Sequence, residues 1–156
     1  MKRLCFVCIL CVIALVLAAC GGKEETKFGA SAESAAQAEV ERPVDLDLTK
    51  ISGTVVYSQV YDMLTEPDTY MGQKIKMKGA FSYFQDPDTL KEYFAAVIAD
   101  ATACCSQGIE FVWKGEHSYP QDYPPLGTEV TVTGTFDTYL EGEYMYVQLI
   151  DADVSW

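Results

Sequence analysis

The chain has 156 residues, and its 11 basic residues against 23 acidic residues give a net charge of −12 at neutral pH. A protein that binds DNA or RNA needs a basic surface to displace counterions from phosphate, so this composition excludes nucleic acid as a partner. The same charge repels anionic lipid headgroups. The length suits a single small domain with additional residues at one end.

The first twenty residues have the pattern of an export signal. Lys2 and Arg3 precede an apolar run over residues 4–17, which is shorter than the roughly 20 residues that span a bilayer. The run closes on the letters LAAC, which end at Cys20 and resemble the lipobox of bacterial lipoproteins. That resemblance implies cleavage after residue 19, a diacylglyceryl group on Cys20, and an extracytoplasmic position on the cell membrane. A plain secretory signal, which needs only the small residues Ala18 and Ala19, is the alternative.

Residues 20–47 are predicted to form a flexible tether. The segment is poor in aromatic residues and rich in Ala, Glu, Ser and Gly. A coil of this length reaches about 30 Å, which is enough to hold a domain away from the headgroups. The remaining residues, 48–156, are predicted to form one domain.

The first element of the domain is predicted to be a short helix within residues 57–71. Val60, Tyr61 and Leu64 have helical spacing, Ser58 is placed to cap the helix, and Pro67 is placed to interrupt it.

Five strands are expected after this helix. Residues 74–83 alternate between apolar and polar, and the sequence GQKIKMKGAFSYF from Gly72 is repeated in its pattern by GTEVTVTGTFDTY from Gly127. Gly79 and Gly134 fall in the middle of these two strands, where a missing side chain permits a sharp bend or the close approach of another backbone. The other three strands are predicted at residues 93–99, 109–113 and 144–150.

The strand pattern resembles an OB-fold, which implies a mainly β, small five-stranded antiparallel barrel with a short N-terminal helix. A small open β-sandwich is the alternative. Many OB-folds carry a helix between the third and fourth strands. Here Pro120, Pro124 and Pro125 exclude one, so an ordered loop is expected.

The adjacent residues Cys104 and Cys105 are the clearest chemical feature of the domain. Neighbouring Cα atoms are about 3.8 Å apart, whereas a relaxed disulfide needs about 4.4–6.8 Å, so a bond between them would be strained. Three readings remain open: metal ligation, a labile redox disulfide, and simple packing. Thiolates favour zinc or another soft metal ion, and Asp100, Glu116 and His117 are candidates to complete the ligand set. In an OB-like barrel, however, His117 and the cysteines would lie at opposite ends.

No established catalytic motif is present, and a single histidine limits acid–base designs, so a non-enzymatic role is predicted. Tyr119 and Tyr123 are candidates for contact with a peptide or glycan. Residues 57–151 also resemble the OB-like domains of small bacterial envelope proteins, including the soluble subunit of a permease pair that carries a Cys-Cys motif. This resemblance implies an accessory or binding role, an envelope transporter component as partner, and a link to metal handling.

Overall fold

A computed structural model describes residues 42–156, so the predicted signal peptide, Cys20 and most of the predicted tether lie outside the described residues. The described part contains one α-helix, α1 (Gly53–Thr65), and two 3₁₀ turns, Leu48–Lys50 and Pro67–Thr69. Its six strands are β1 (Leu46–Asp47), β2 (Lys74–Gln85), β3 (Glu92–Ala99), β4 (Ser106–Trp113), β5 (Glu129–Glu141) and β6 (Tyr144–Ser155).

The six strands form one mixed sheet in the order β1-β2-β3-β4-β6-β5, and β5 also pairs with β2. The mainly β prediction with one helix is therefore confirmed. The prediction of a purely antiparallel sheet is wrong, because β1 runs parallel to β2 and β4 runs parallel to β6. The parallel pair arises because β5 and β6 form a hairpin whose second strand, β6, lies beside β4. The short strand β1 lies within residues 20–47, which were predicted to be a tether. Its pairing of Leu46 with Ile75 shows that the end of this segment belongs to the sheet.

The helix begins earlier than the sequence predicted. Ser52, rather than Ser58, occupies the N-cap position of α1, and the Ser58 hydroxyl lies inside the helix and donates to the Thr54 carbonyl. Val60 and Met63 are the fully buried residues of this helix. Pro67 starts the 3₁₀ turn that follows the helix, in agreement with its predicted role as an interruption.

The core follows from the alternation of the long strands. Every second residue of β2 and β5 points inward, where it meets the inward residues of β4 and β6. The largest fully buried side chains in the described part are Phe81, Phe136, Leu48, Met63, Ile75, Met77, Ile109 and Leu149. The stretch between β4 and β5 contains no helix, as its three prolines predicted.

The two repeated glycines lie where backbones approach closely. A Cβ atom added to Gly79 would lie 2.8 Å from the backbone nitrogen and oxygen of Val97, and one added to Gly134 would lie 2.9 Å from the Leu149 Cβ. The prediction of a close approach at both positions is confirmed.

Within residues 42–156, no helix combines the length and the apolar character that a membrane span requires.

Asp47 organises the entry to the first 3₁₀ turn and should contribute to stability in a pH-dependent manner. Its carboxylate accepts hydrogen bonds from the Thr49 hydroxyl at 2.5 Å and the Thr49 backbone at 3.1 Å, and it pairs with Lys50 at 3.0 Å. These contacts, led by the Thr49 hydroxyl, lower the pKa of Asp47 from its ordinary value of 3.8 to about 2.

A carboxyl whose pKa is lower in the folded state stabilises the fold above the unfolded pKa and loses that contribution as the pH falls. Asp47→Asn should therefore lower the free energy of unfolding by about 1–2 kcal/mol at pH 7, and the difference from the wild type should shrink between about pH 4 and pH 2. Urea unfolding at several pH values measures this, with the exposed Asp153→Asn as control. A difference that stays constant down to pH 2 would contradict the assignment.

Candidate functional site

The candidate site is the connection between β3 and β4, which is folded around the Asp100 side chain. Asp100 Oδ1 accepts hydrogen bonds from the backbone N–H groups of Cys104 at 3.0 Å and Cys105 at 3.4 Å. The backbone N–H of Asp100 donates to the Cys105 carbonyl at 2.9 Å, and that of Ala103 donates to the Asp100 carbonyl at 3.0 Å. Ala103 has a φ of +54°, a left-handed conformation that non-glycine residues seldom adopt. The carboxylate thus holds the loop in a tight turn that presents both cysteines.

Both thiols lie beside this carboxylate. Cys104 Sγ is 3.2 Å from Asp100 Oδ2 and 3.6 Å from Cys105 Sγ. The Thr102 hydroxyl lies 2.9 Å from the same carboxylate oxygen and 3.1 Å from Cys104 Sγ. Both cysteines are exposed and neither forms a disulfide. One ligand atom from each of Asp100, Cys104 and Cys105 can be chosen so that all three lie within 4.8 Å of one another.

The loop shifts the pKa values of Asp100 and Cys105 in opposite directions. The hydrogen bond from the Cys104 thiol, followed by those from Thr102 and from the loop backbone, lowers the pKa of Asp100. The pKa of the Cys105 thiol is raised by its hydrogen bond with Cys104, by partial desolvation, and by the negative charge of Asp100. A metal ion bound here would take the place of thiol protons, because thiolates are the ligating form.

His117 and Glu116 do not belong to this group of ligand atoms. Both follow Trp113, which ends β4, whereas the cysteines precede Ser106, which begins it. A strand of eight residues is about 26 Å long, so the two loops lie at opposite ends of β4. The His117 ring stacks on Trp113 with a centroid separation of 3.6 Å, and its Nε2 is 3.0 Å from the Lys114 carbonyl oxygen. The structure therefore brings together three of the five predicted ligands.

Tyr119 and Tyr123 belong to an aromatic cluster that packs against the core. The Tyr119 ring stacks on Tyr83 at 3.9 Å, and the Tyr123 ring stacks on Phe94 at 4.2 Å. Both tyrosines are half-buried, so their rings help to hold the proline-rich loop on the sheet. Tyr123 also lines a cavity of about 260 Å³ between β3 and β4.

Sequence reasoning did not identify Glu110, which lies at the same cavity. Its position between Ile109 and Phe111 is the ordinary outward position of an alternating strand, and nothing in the local pattern distinguishes it from a solvated glutamate. What distinguishes Glu110 is the hydrogen bond that it accepts from Tyr139 on β5, and only the folded structure shows this contact.

Comparison of the chain with models of protein families, with curated proteins and with solved structures gives no match. The functional argument therefore rests on the chemistry and geometry of the described residues.

Proposed function

We propose that the chain is a lipid-anchored, extracytoplasmic bacterial lipoprotein whose β domain is a non-catalytic module that binds a soft metal ion. Cys104, Cys105 and Asp100 are the proposed ligands, and zinc or cuprous copper is the proposed ion. The anchor in this proposal is Cys20, on the basis of the LAAC sequence, and the partner is a transporter component of the envelope.

The observation that carries the metal proposal is the separation of the two sulfur atoms. Two thiolates bound to one tetrahedral zinc ion at about 2.3 Å lie about 3.8 Å apart. Cys104 Sγ and Cys105 Sγ are already 3.6 Å apart, and Asp100 Oδ2 is 3.2 Å from the first of them. The ligand atoms thus need only small movements to surround an ion, and the Asp100 hydrogen bonds to the loop backbone supply the support that such a site requires.

Three protein ligands leave one position of a tetrahedral ion open. In zinc sites with three protein ligands the fourth position is filled by water or by an incoming molecule, as catalytic sites show, whereas structural sites use four protein ligands. Because both cysteines are exposed, a second protein could reach the ion at this position. This favours a role in receiving or delivering a metal ion over a purely structural role.

The proposal includes a closed, OB-like arrangement of the sheet. This arrangement is supported by the pairing of β2 with β5, the two strands that carry the repeated glycines. The paired register runs from Lys74 opposite Thr135 to Ala80 opposite Glu129. In such an arrangement the metal loop and the aromatic cluster occupy opposite ends of β4.

Metal stoichiometry tests the proposal. The full-length chain, purified in detergent with reductant and supplied with zinc, should retain one zinc ion per chain in native mass spectrometry. The Cys104→Ser/Cys105→Ser variant should retain none while giving an unchanged circular dichroism spectrum. The Glu116→Gln/His117→Gln variant is the matched control and should bind zinc like the wild type. A wild-type chain that holds no metal would contradict the proposal.

Two alternatives from the sequence remain predictions. A thiol-redox role would appear in the same experiment, without reductant, as a chain two mass units lighter, since two thiols lose two protons and two electrons when they form a disulfide. The Cys104→Ser/Cys105→Ser variant should not show this difference. A peptide- or glycan-binding role for Tyr119 and Tyr123 is harder to test by alanine substitution, because both rings pack in the aromatic cluster and their removal would also disturb the loop.

A further inference from the structure

A second polar site lies at the opposite end of β3 and β4 from the cysteine loop. The ladder between these strands runs from Ala99 opposite Ser106 to Ala95 opposite Glu110. The paired register ends there, and a cavity of about 260 Å³ opens beside it. Its lining includes Lys91, Phe94, Glu110, Trp113, Tyr123 and Tyr139.

Glu110 places a carboxylate at this cavity without a direct ion pair. The side chain is half-buried, and its Oε2 accepts a hydrogen bond of 2.7 Å from the Tyr139 hydroxyl. In the part of the chain that the structure describes, the carboxylate makes no ion pair, and the charge of Lys91 acts on it only at longer range. Desolvation raises the pKa of Glu110, and burial together with the contact to Glu110 raises the pKa of Tyr139, so the phenol remains the donor.

A half-buried carboxylate whose hydrogen bond comes from a neutral phenol gains stability from a cation brought into direct contact with it. Lys91 fills this role only in part, because its charge acts on Glu110 while its Nζ bonds to Glu141 at 3.2 Å. Glu141 also accepts a hydrogen bond of 2.7 Å from the Tyr93 hydroxyl, so this lysine is held at the rim.

The walls of the cavity already accommodate an alkylammonium group. Lys91 Nζ lies 4.7 Å from the ring centroid of Tyr93 and 4.8 Å from that of Tyr139, distances typical of a cation–π contact. Phe94 and Trp113 add apolar surface on which the methylene groups of a ligand can pack.

We propose that this cavity binds a single ammonium or guanidinium group, with Glu110 as the pairing carboxylate and the aromatic rings as the surface for the alkyl chain. The volume of about 260 Å³ lies below the roughly 300–1,000 Å³ of sites for drug-sized ligands, so it suits a group the size of one side chain. The net charge of −12 favours the approach of cations. The source is either a free amine or a lysine or arginine side chain of a peptide. The site is independent of the proposed metal loop.

Calorimetric titration of the full-length chain in detergent tests the proposal. N-acetyl-lysine amide and N-acetyl-arginine amide should bind, and the neutral N-acetyl-glutamine amide should bind at least tenfold more weakly. Glu110→Gln keeps the shape of the side chain and an acceptor for Tyr139, and it should weaken binding of the cationic amides at least tenfold, the loss expected for a hydrogen bond to a charged group. Glu129→Gln is the matched control, because Glu129 is exposed, pairs with Lys78, and carries the same charge change.

A second variant separates recognition from folding. Lys91→Met removes the ammonium group that competes for the aromatic rim, so it should tighten binding of the cationic amides, a change that a damaged fold would not produce. Tighter binding of putrescine than of the amides would identify a free amine as the source, and the reverse would identify a peptide side chain. Equal binding of cationic and neutral amides, or unchanged affinity in Glu110→Gln, would overturn the proposal.

Discussion

Replacing Gly79 by alanine should lower the free energy of unfolding by about 2–3 kcal/mol, the loss typical of an overpacked interior. An added Cβ would lie 2.8 Å from both the backbone nitrogen and the backbone oxygen of Val97, and 2.9 Å from the Ala96 carbonyl carbon. These are backbone atoms of β3, so they cannot rotate away as the end of a side chain would. Because Ala80 pairs with Val97, any retreat of β3 would disturb the ladder between β2 and β3.

Urea unfolding of the full-length chain in detergent, followed by circular dichroism, measures this effect through the shift of the midpoint. Gly53→Ala is the control, since nothing lies within 4 Å of a Cβ at that position and Gly53 begins α1. Its stability should be unchanged or raised by up to about 1 kcal/mol, because alanine favours a helix over glycine. Equal stability of Gly79→Ala and the wild type would mean that the two strands can separate without loss.

The second large effect concerns the cysteine loop. Cys104→Ser and Cys105→Ser should each weaken zinc binding by more than about a hundredfold, since a hydroxyl replaces a thiolate ligand and even groups that only support ligands are worth 10- to 100-fold. Competition with a chromophoric zinc chelator measures the affinities.

Asp100→Asn and Thr102→Val test how the loop supports the ion. An asparagine at position 100 can still accept the backbone N–H groups of Cys104 and Cys105, so the turn should persist while the anionic oxygen is lost. We expect its affinity for zinc to fall by about tenfold to a hundredfold. Thr102 contacts Asp100 and Cys104 without being a proposed ligand, so Thr102→Val should have the smaller effect. A larger loss in Thr102→Val than in either serine variant would argue against thiolate ligation.

Much of the fold could be predicted because it depends on local patterns. The alternation of β2 and β5 reports that one face of each strand is buried, and the repeated Gly79 and Gly134 report the close approach of neighbouring backbones. The start of α1 was misplaced because Ser58 is a residue type that caps helices, whereas Ser52 occupies the N-cap position. Val55 and Val56, which lie between them, are β-branched residues that packing accommodates in the helix.

Features that arise from tertiary pairing lay beyond such patterns. The two-residue strand β1 is too short to show alternation, and the parallel contact of β4 with β6 depends on how the β5–β6 hairpin folds back. No sequence signal separates these strands from antiparallel ones.

In the candidate site, too, residues that are close in sequence could be predicted, whereas contacts between distant strands could not. Asp100, Cys104 and Cys105 are within six positions of one another, so their proximity was predictable from the chain itself. His117 and Glu116 were plausible ligands by residue type, but their distance from the cysteines is set by the length of β4. Glu110 and Tyr139 are 29 residues apart, and their contact appears only when β4, β6 and β5 are placed side by side.

X-ray absorption spectroscopy at the zinc edge, on the zinc-loaded full-length chain, tests the central claim most directly. The proposed site predicts two sulfur neighbours at about 2.3 Å together with oxygen neighbours at about 2.0–2.2 Å, from Asp100 and from the ligand at the open position. A first shell without sulfur would contradict the role of Cys104 and Cys105, and a shell of four sulfur atoms would contradict a ligand set made of Cys104, Cys105 and Asp100.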